Sequence, residues 1–172
     1  MKTNTTLSPQ QLIDTLDTLG VPFLRGGRGA AHTVEPDLLL ASLAASPEAR
    51  LRLAIIPLLL THPTFADAAD AAVERLPQDA AITLRCYCTA AYWLQEKYRT
   101  QLAALLGSTR RLPDLFGAAI GMVRYSDPDA ALGALAVRQQ VLSGRVLNWA
   151  GTYEHAVQTW LRQRERDMAW NH

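Results

Sequence analysis

Lysine is nearly missing from this chain. Lys2 and Lys97 are the only two, and every other basic residue is arginine. Arginine suits bidentate contacts to phosphate or carboxylate, yet here the preference fits general composition better than selection for an anion. Net charge is missing too, since 17 basic and 16 acidic residues leave +1. That near-balance removes any global pull towards nucleic acid or an anionic membrane. Long apolar runs are also absent. The most apolar, Leu53–Leu60 and Phe116–Val123, fall well short of the ~20 residues a bilayer span needs.

Cysteine is limited to Cys86 and Cys88. Two positions apart on a helix they point to different sides, which argues against a shared metal ion or a mutual disulfide. Buried free thiols in a cytoplasmic protein are the expectation. Behind Lys2 the N-terminus has no apolar stretch, so no secretory signal is expected. Period-two alternation bounded by hairpin turns is lacking, and Val21–Leu24 is too short and contains Pro22. No sheet is expected.

What the chain does have is helix punctuation. Its nine prolines partition it into helix-length pieces. Pro9, Pro36, Pro47 and Pro128 follow polar residues and precede apolar-periodic runs, where a missing N–H has no cost and the fixed φ suits a first turn. Pro63 and Pro77 close the segments before them. Ser8-Pro9 predicts a helix through Leu12, Ile13, Leu16 and Leu19, stopped by Gly20 and Pro22. A second is predicted from Pro36 to about Ala45. Ser46-Pro47-Glu48 then reads as a capped helix start, followed by the apolar run from Leu51 to Leu60. Pro57 inside that run predicts a kink or break, with helical geometry disfavoured at Ile56.

Thr64 predicts the cap of a helix whose apolar face holds Phe65, Ala68, Ala69, Ala72, Val73 and Leu76. Asp79 predicts the start of the longest, central helix, running to about Leu106. Pro113 predicts a helix in which Gly117 and Gly121, four apart, permit close packing. Asp127-Pro128-Asp129 opens another through Leu132, Leu135, Val141 and Leu142, ended by Ser143-Gly144. The last helix places Tyr153, Ala156, Val157, Trp160, Leu161 and Met168 on one side, opposite Glu154, Gln158, Arg162, Gln163, Glu165 and Arg166. The fold expected is an all-α bundle of about seven or eight helices in one domain over the whole chain, with an irregular Gly-rich loop at about 20–34.

Three short resemblances bear on function. Ser46–Leu76, with Arg50 early, Pro57 in the first helix and an alanine-rich second helix, resembles a HEAT-type helical pair. No second copy appears at the roughly 40–47-residue period of such repeats. The pair Gly26-Gly27 with later acids Glu35 and Asp37 is similar to minimal nucleotidyltransferases, which implies a metal held by the two carboxylates, although no strand is there to aim them. Arg166 with His172 six positions on is similar to the motif of HEPN-type helical ribonucleases, which implies that both act on a scissile phosphate.

Consecutive glycines expose N–H groups suited to an anion, so Arg25, Gly26, Gly27, Arg28 and Gly29 form a candidate anion-binding loop. A P-loop is excluded, because its lysine and preceding strand are lacking. His62 is expected at a helix C-terminus and His155 on a solvated face. Aromatic residues concentrate near the C-terminus, and Trp, Tyr and Arg dominate binding hot spots. Trp149, Tyr153, Trp160, Arg162, Arg166 and Trp170 are therefore candidate partner-binding residues. With no Ser-His-Asp order, metal-binding histidine pair or catalytic carboxylate pair, neither catalysis nor a cofactor nor a metal site is expected. The expected function is a non-enzymatic helical interaction module that binds another protein or a second copy of itself. The alternative is an RNA- or nucleotide-binding protein, such as a HEPN-like ribonuclease or a toxin–antitoxin-type partner.

Overall fold

The computed structural model describes residues 6–21 and 33–171, and all regular structure in them is helical. Helix α1 (Pro9–Thr18) begins as the sequence predicts. Ser8 Oγ accepts the Gln11 N–H at 3.2 Å and Gln11 Oε1 accepts the Ser8 N–H at 2.8 Å, a reciprocal capping box. At its end Val21 N–H reaches Leu16 O and Gly20 N–H reaches Asp17 O, a Schellman closure. Helix α2 (Pro36–Ala45) likewise carries proline in its first turn, with Glu35 preceding it but making no side-chain cap.

The apolar run breaks into α3 (Ala49–Leu53) and α4 (Ile55–Thr61). The break falls at Ala54, not at Ile56. A proline ring collides with the carbonyl four residues back and offers that carbonyl no N–H, and four residues before Pro57 stands Leu53. Ile56 remains helical within α4. Ser46 caps neither helix start as predicted; its Oγ accepts the Glu48 N–H at 3.2 Å, and Glu48 is the residue that precedes α3.

The expected Thr64 cap is not made. Pro63–Ala68 forms a 3-10 helix preceded by His62, and α5 (Ala69–Glu74) continues from it. Helix α6 (Gln78–Lys97) packs against α2, α4, α5, α8 and α9, which makes it the central helix as expected. It is shorter than predicted, and Pro77 rather than Asp79 occupies its cap position. At Tyr98 the backbone leaves helical geometry (φ −102°, ψ 20°) before α7 (Arg99–Leu106). The side chains at that corner are claimed by another element. Lys97 Nζ lies 2.6 Å from Asp129 and 2.5 Å from Glu154, and the Tyr98 hydroxyl donates to Glu154. Burial opposes the Lys97 charge, but its bonds to Asp129 and Glu154 hold the ammonium above its ordinary pKa.

The helix expected after Pro113 does not form. Asp114 Oδ1 takes the Gly117 N–H at 3.0 Å, and the chain makes one turn that closes as Met122 N–H reaches Gly117 O. Gly121 ends it at φ +85°, with Arg138 donating from Nε to Ile120 O at 2.8 Å beside it. The two glycines thus serve a turn rather than a helix–helix contact. The preceding segment is held by buried Gln95, whose amide donates to Arg110 O at 3.0 Å and accepts from Leu112 N at 2.7 Å.

Helix α8 (Pro128–Ser143) opens with Asp127 accepting the Ala130 N–H at 3.0 Å and closes at Gly144 in the left-handed conformation, φ +67°. Helix α9 (Trp149–Trp170), with Asn148 as its cap, is the longest described element. No helix among the described residues is long and apolar enough to cross a membrane. The core runs from Leu12 and Leu16 through the leucines of α2 and α4 to Ala156, Val157 and Trp160 of α9. Cys86 and Cys88 lie inside it as free thiols, as expected.

Candidate functional site

The six candidate partner-binding residues separate into two groups. Tyr153 and Trp160 are buried at 0% and 2% exposure, and Trp149 is nearly so. Tyr153 stands edge-on to Tyr87 and donates its hydroxyl to Gln139 of α8. Burial pushes that phenol well above its ordinary pKa, so it remains a donor. These three aromatics fasten α9 to the bundle and are not surface anchors. Arg162, Arg166 and Trp170 lie on the exposed last turns of α9, where Trp170 reaches 89% exposure. Arg162 and Arg166 donate back to the carbonyls of Gln158 and Arg162, both at 3.3 Å. Met168, predicted for the buried side, is exposed because α9 has run past the elements that cover its first half.

Other predicted positions disperse. Arg25, Gly26, Gly27, Arg28, Gly29 and His172 lie outside the described residues. Asp37 is held by Arg75 at 2.7 Å and is not aimed at a site shared with Glu35. His62 ends α4, as expected, and its Nε2 donates to Leu19 O at 2.6 Å, tying α4 to α1. His155 is exposed. No group of three or more metal-ligating side chains occurs among the described residues. Burial pushes both cysteine thiols up to about 12, which suppresses their nucleophilic thiolate form.

A surface feature that sequence reasoning missed lies on α8 and the linker after it. Leu132, Leu135 and Gln139 face the core, and Leu142 is half-buried behind them. Val137 and Val141 point the other way, at 63% and 65% exposure. The signal was available in the spacing. Positions 132, 135, 139 and 142 share one helical stripe, and 137 and 141 share another. Gly133, one turn earlier on that outer stripe, is open: a Cβ there would meet no atom within 4 Å.

The linker continues the exposure. Trp149 Nε1 donates to Arg145 O at 3.2 Å, Arg145 N to Ser143 Oγ at 3.2 Å, and Gly151 N to Asn148 Oδ1 at 3.0 Å. Held this way, the linker presents Val146 and Leu147 outward at 82% and 52%. Turns of this kind ordinarily carry polar residues. Four large aliphatic side chains are thus exposed in succession along one helix end and its linker. No protein-family model, curated protein or solved structure matches the chain.

Proposed function

We propose that this protein is a non-enzymatic helical interaction module that binds a protein partner, a second copy of itself being the first to test, through Val137, Val141, Val146 and Leu147. The observation that carries the reading is the exposure of these four side chains on a hydrogen-bonded, ordered frame. An unneeded apolar group on a fixed surface costs solubility, whereas its burial by a partner contributes free energy. Gly133 supports the reading, since a residue without a side chain lets a second helix approach α8 closely.

The magnitude sets the expected strength. Full burial of each aliphatic side chain contributes about 1.5–3 kcal/mol, so four contribute roughly 6–12 kcal/mol. Association costs an estimated 4–15 kcal/mol in lost freedom. The balance favours a weak, reversible complex over a permanent one. Sedimentation velocity across a concentration series tests self-association, and pull-down with purified protein tests a different partner. The double variant Val137→Lys/Val141→Lys should abolish whichever association is seen while leaving the thermal midpoint in place. A strict monomer that captures no protein, or an association indifferent to the double variant, overturns the proposal.

A further inference from the structure

A groove of about 780 Å³ opens between the C-terminal ends of α2 and α8 and the N-terminal ends of α6 and α9. Its volume is in the range of small-molecule sites. Its walls are mixed. Ala45, Pro47, Ile82 and Leu142 supply apolar surface, and Arg52, Arg145, Gln78 and Asp79 supply the polar part.

Tyr87 is the informative member. It is 3% exposed as a residue and lines the groove, where its hydroxyl is open to water and makes no hydrogen bond to another described side chain. A phenol so placed hydrogen-bonds to groove water, which an acceptor on a ligand can replace. The other buried tyrosine, Tyr153, has its partner in Gln139. Burial holds the Tyr87 proton, its pKa pushed up to about 12 against the opposing field of Arg52. The hydroxyl therefore stays a donor that can exchange water for an acceptor on a ligand. Arg52 is fixed where it can help, since its Nη1 donates to Ser46 O at 2.8 Å and Pro47 O at 2.9 Å. Those bonds leave its other nitrogen donors uncommitted and its charge intact.

Charge selects the ligand. Arg52 and Arg145 bring two positive charges and the first turn of the 20-residue helix α6 adds the positive end of its dipole, while Asp79 in that turn removes one charge. The sum is a positive site of about 1.5 charges, which suits an anionic ligand such as a carboxylate. The geometry points to a binding site for a small organic carboxylate with an apolar body, its carboxylate accepting from Tyr87 and the arginines and its body lying along Ala45, Ile82 and Leu142. The groove adjoins the linker that carries Val146 and Leu147, since Ser143, Arg145 and Trp149 line it, while Val137 and Val141 are not part of its lining.

Calorimetric titration with 3-phenylpropionate, and with the neutral 3-phenylpropanamide as its isostere, tests the site on the full chain. The carboxylate should bind, with amide shifts in ¹H–¹⁵N spectra confined to Gln78–Thr83 and Ser143–Trp149. The neutral isostere should bind at least about tenfold more weakly, as should the carboxylate to Tyr87→Phe, which keeps the ring and removes the hydroxyl. Arg145→Gln, a change at an exposed position, should weaken it in the same direction and keeps the test open if Tyr87→Phe does not fold. No binding at millimolar carboxylate, equal binding of the isostere, or binding unchanged in both variants overturns the assignment.

Discussion

The chain handles its apolar residues differently before and after Gly107. In α4, Ile55, Ile56, Leu58, Leu59 and Leu60 are all at or below 1% exposure. Among the described residues, every strongly exposed large apolar side chain comes later: Leu115, Val123, Val137, Val141, Val146, Leu147, Met168 and Trp170. The difference follows from position in the bundle. Helices α4 and α6 are enclosed by neighbours on several sides, whereas α8 and α9 form an outer layer with one face to bury. Apolar surface beyond that one face does nothing for the fold of the single chain. The first region shows what the sequence needs in order to fold, and the second shows what it carries beyond that need.

The largest contrast should be chemical. Cys86 and Cys88 sit in the enclosed region, and a thiol pKa of about 12 against an ordinary value of 9.0 lowers the thiolate fraction about a thousandfold. At pH 8 neither should react with a disulfide reagent until denaturant is added. A thiol introduced by Val141→Cys in the open region should react at once. Prompt labelling of the native cysteines would break the comparison.

Next in size is packing. Leu58→Ala, at a fully buried position, should destabilise by about 3 kcal/mol in urea unfolding. Val141→Ala should stay within about 0.5 kcal/mol. Equal costs would place Val141 in the core and remove the basis for an interaction surface. Smaller again is the tie between the layers. Tyr153→Phe leaves the buried Gln139 side chain without its donor and should cost about 1–3 kcal/mol in the same measurement.

Much of the fold is legible in local chemistry. Ser8-Pro9-Gln11, Asp127-Pro128 and Ser143-Gly144 name their helix ends because each end is satisfied by residues within a few positions. Failures occur where distant residues decide. The corner at Tyr98 answers to Glu154 in another helix, and the turn at Phe116–Met122 is stabilised beside Arg138. The break at Ala54 is local, but the decisive contact is with the carbonyl behind Pro57 rather than the residue adjoining it.

The candidate site was legible only in part. Composition pointed to the C-terminal aromatics, but it does not separate Tyr153 and Trp160, which hold the fold together, from Trp170, which does not. What separates them is how far the neighbouring elements extend along α9. The outer stripe of α8 was legible in the spacing of positions 137 and 141 but not in composition, since a valine among leucines and alanines gives no sign of which way it faces. Buried Gln139 opposite Tyr153 explains the phase: a polar residue takes a core position because its partner is there.

The most direct test of the surplus apolar surface is sedimentation velocity of the purified chain, up to the high-micromolar range, beside Val137→Lys/Val141→Lys and in the presence and absence of any captured partner. A concentration-dependent complex that vanishes in the double variant, with an unchanged thermal midpoint, is the predicted result. A wild-type chain that remains monomeric and partnerless, or a complex that survives both substitutions, would contradict it.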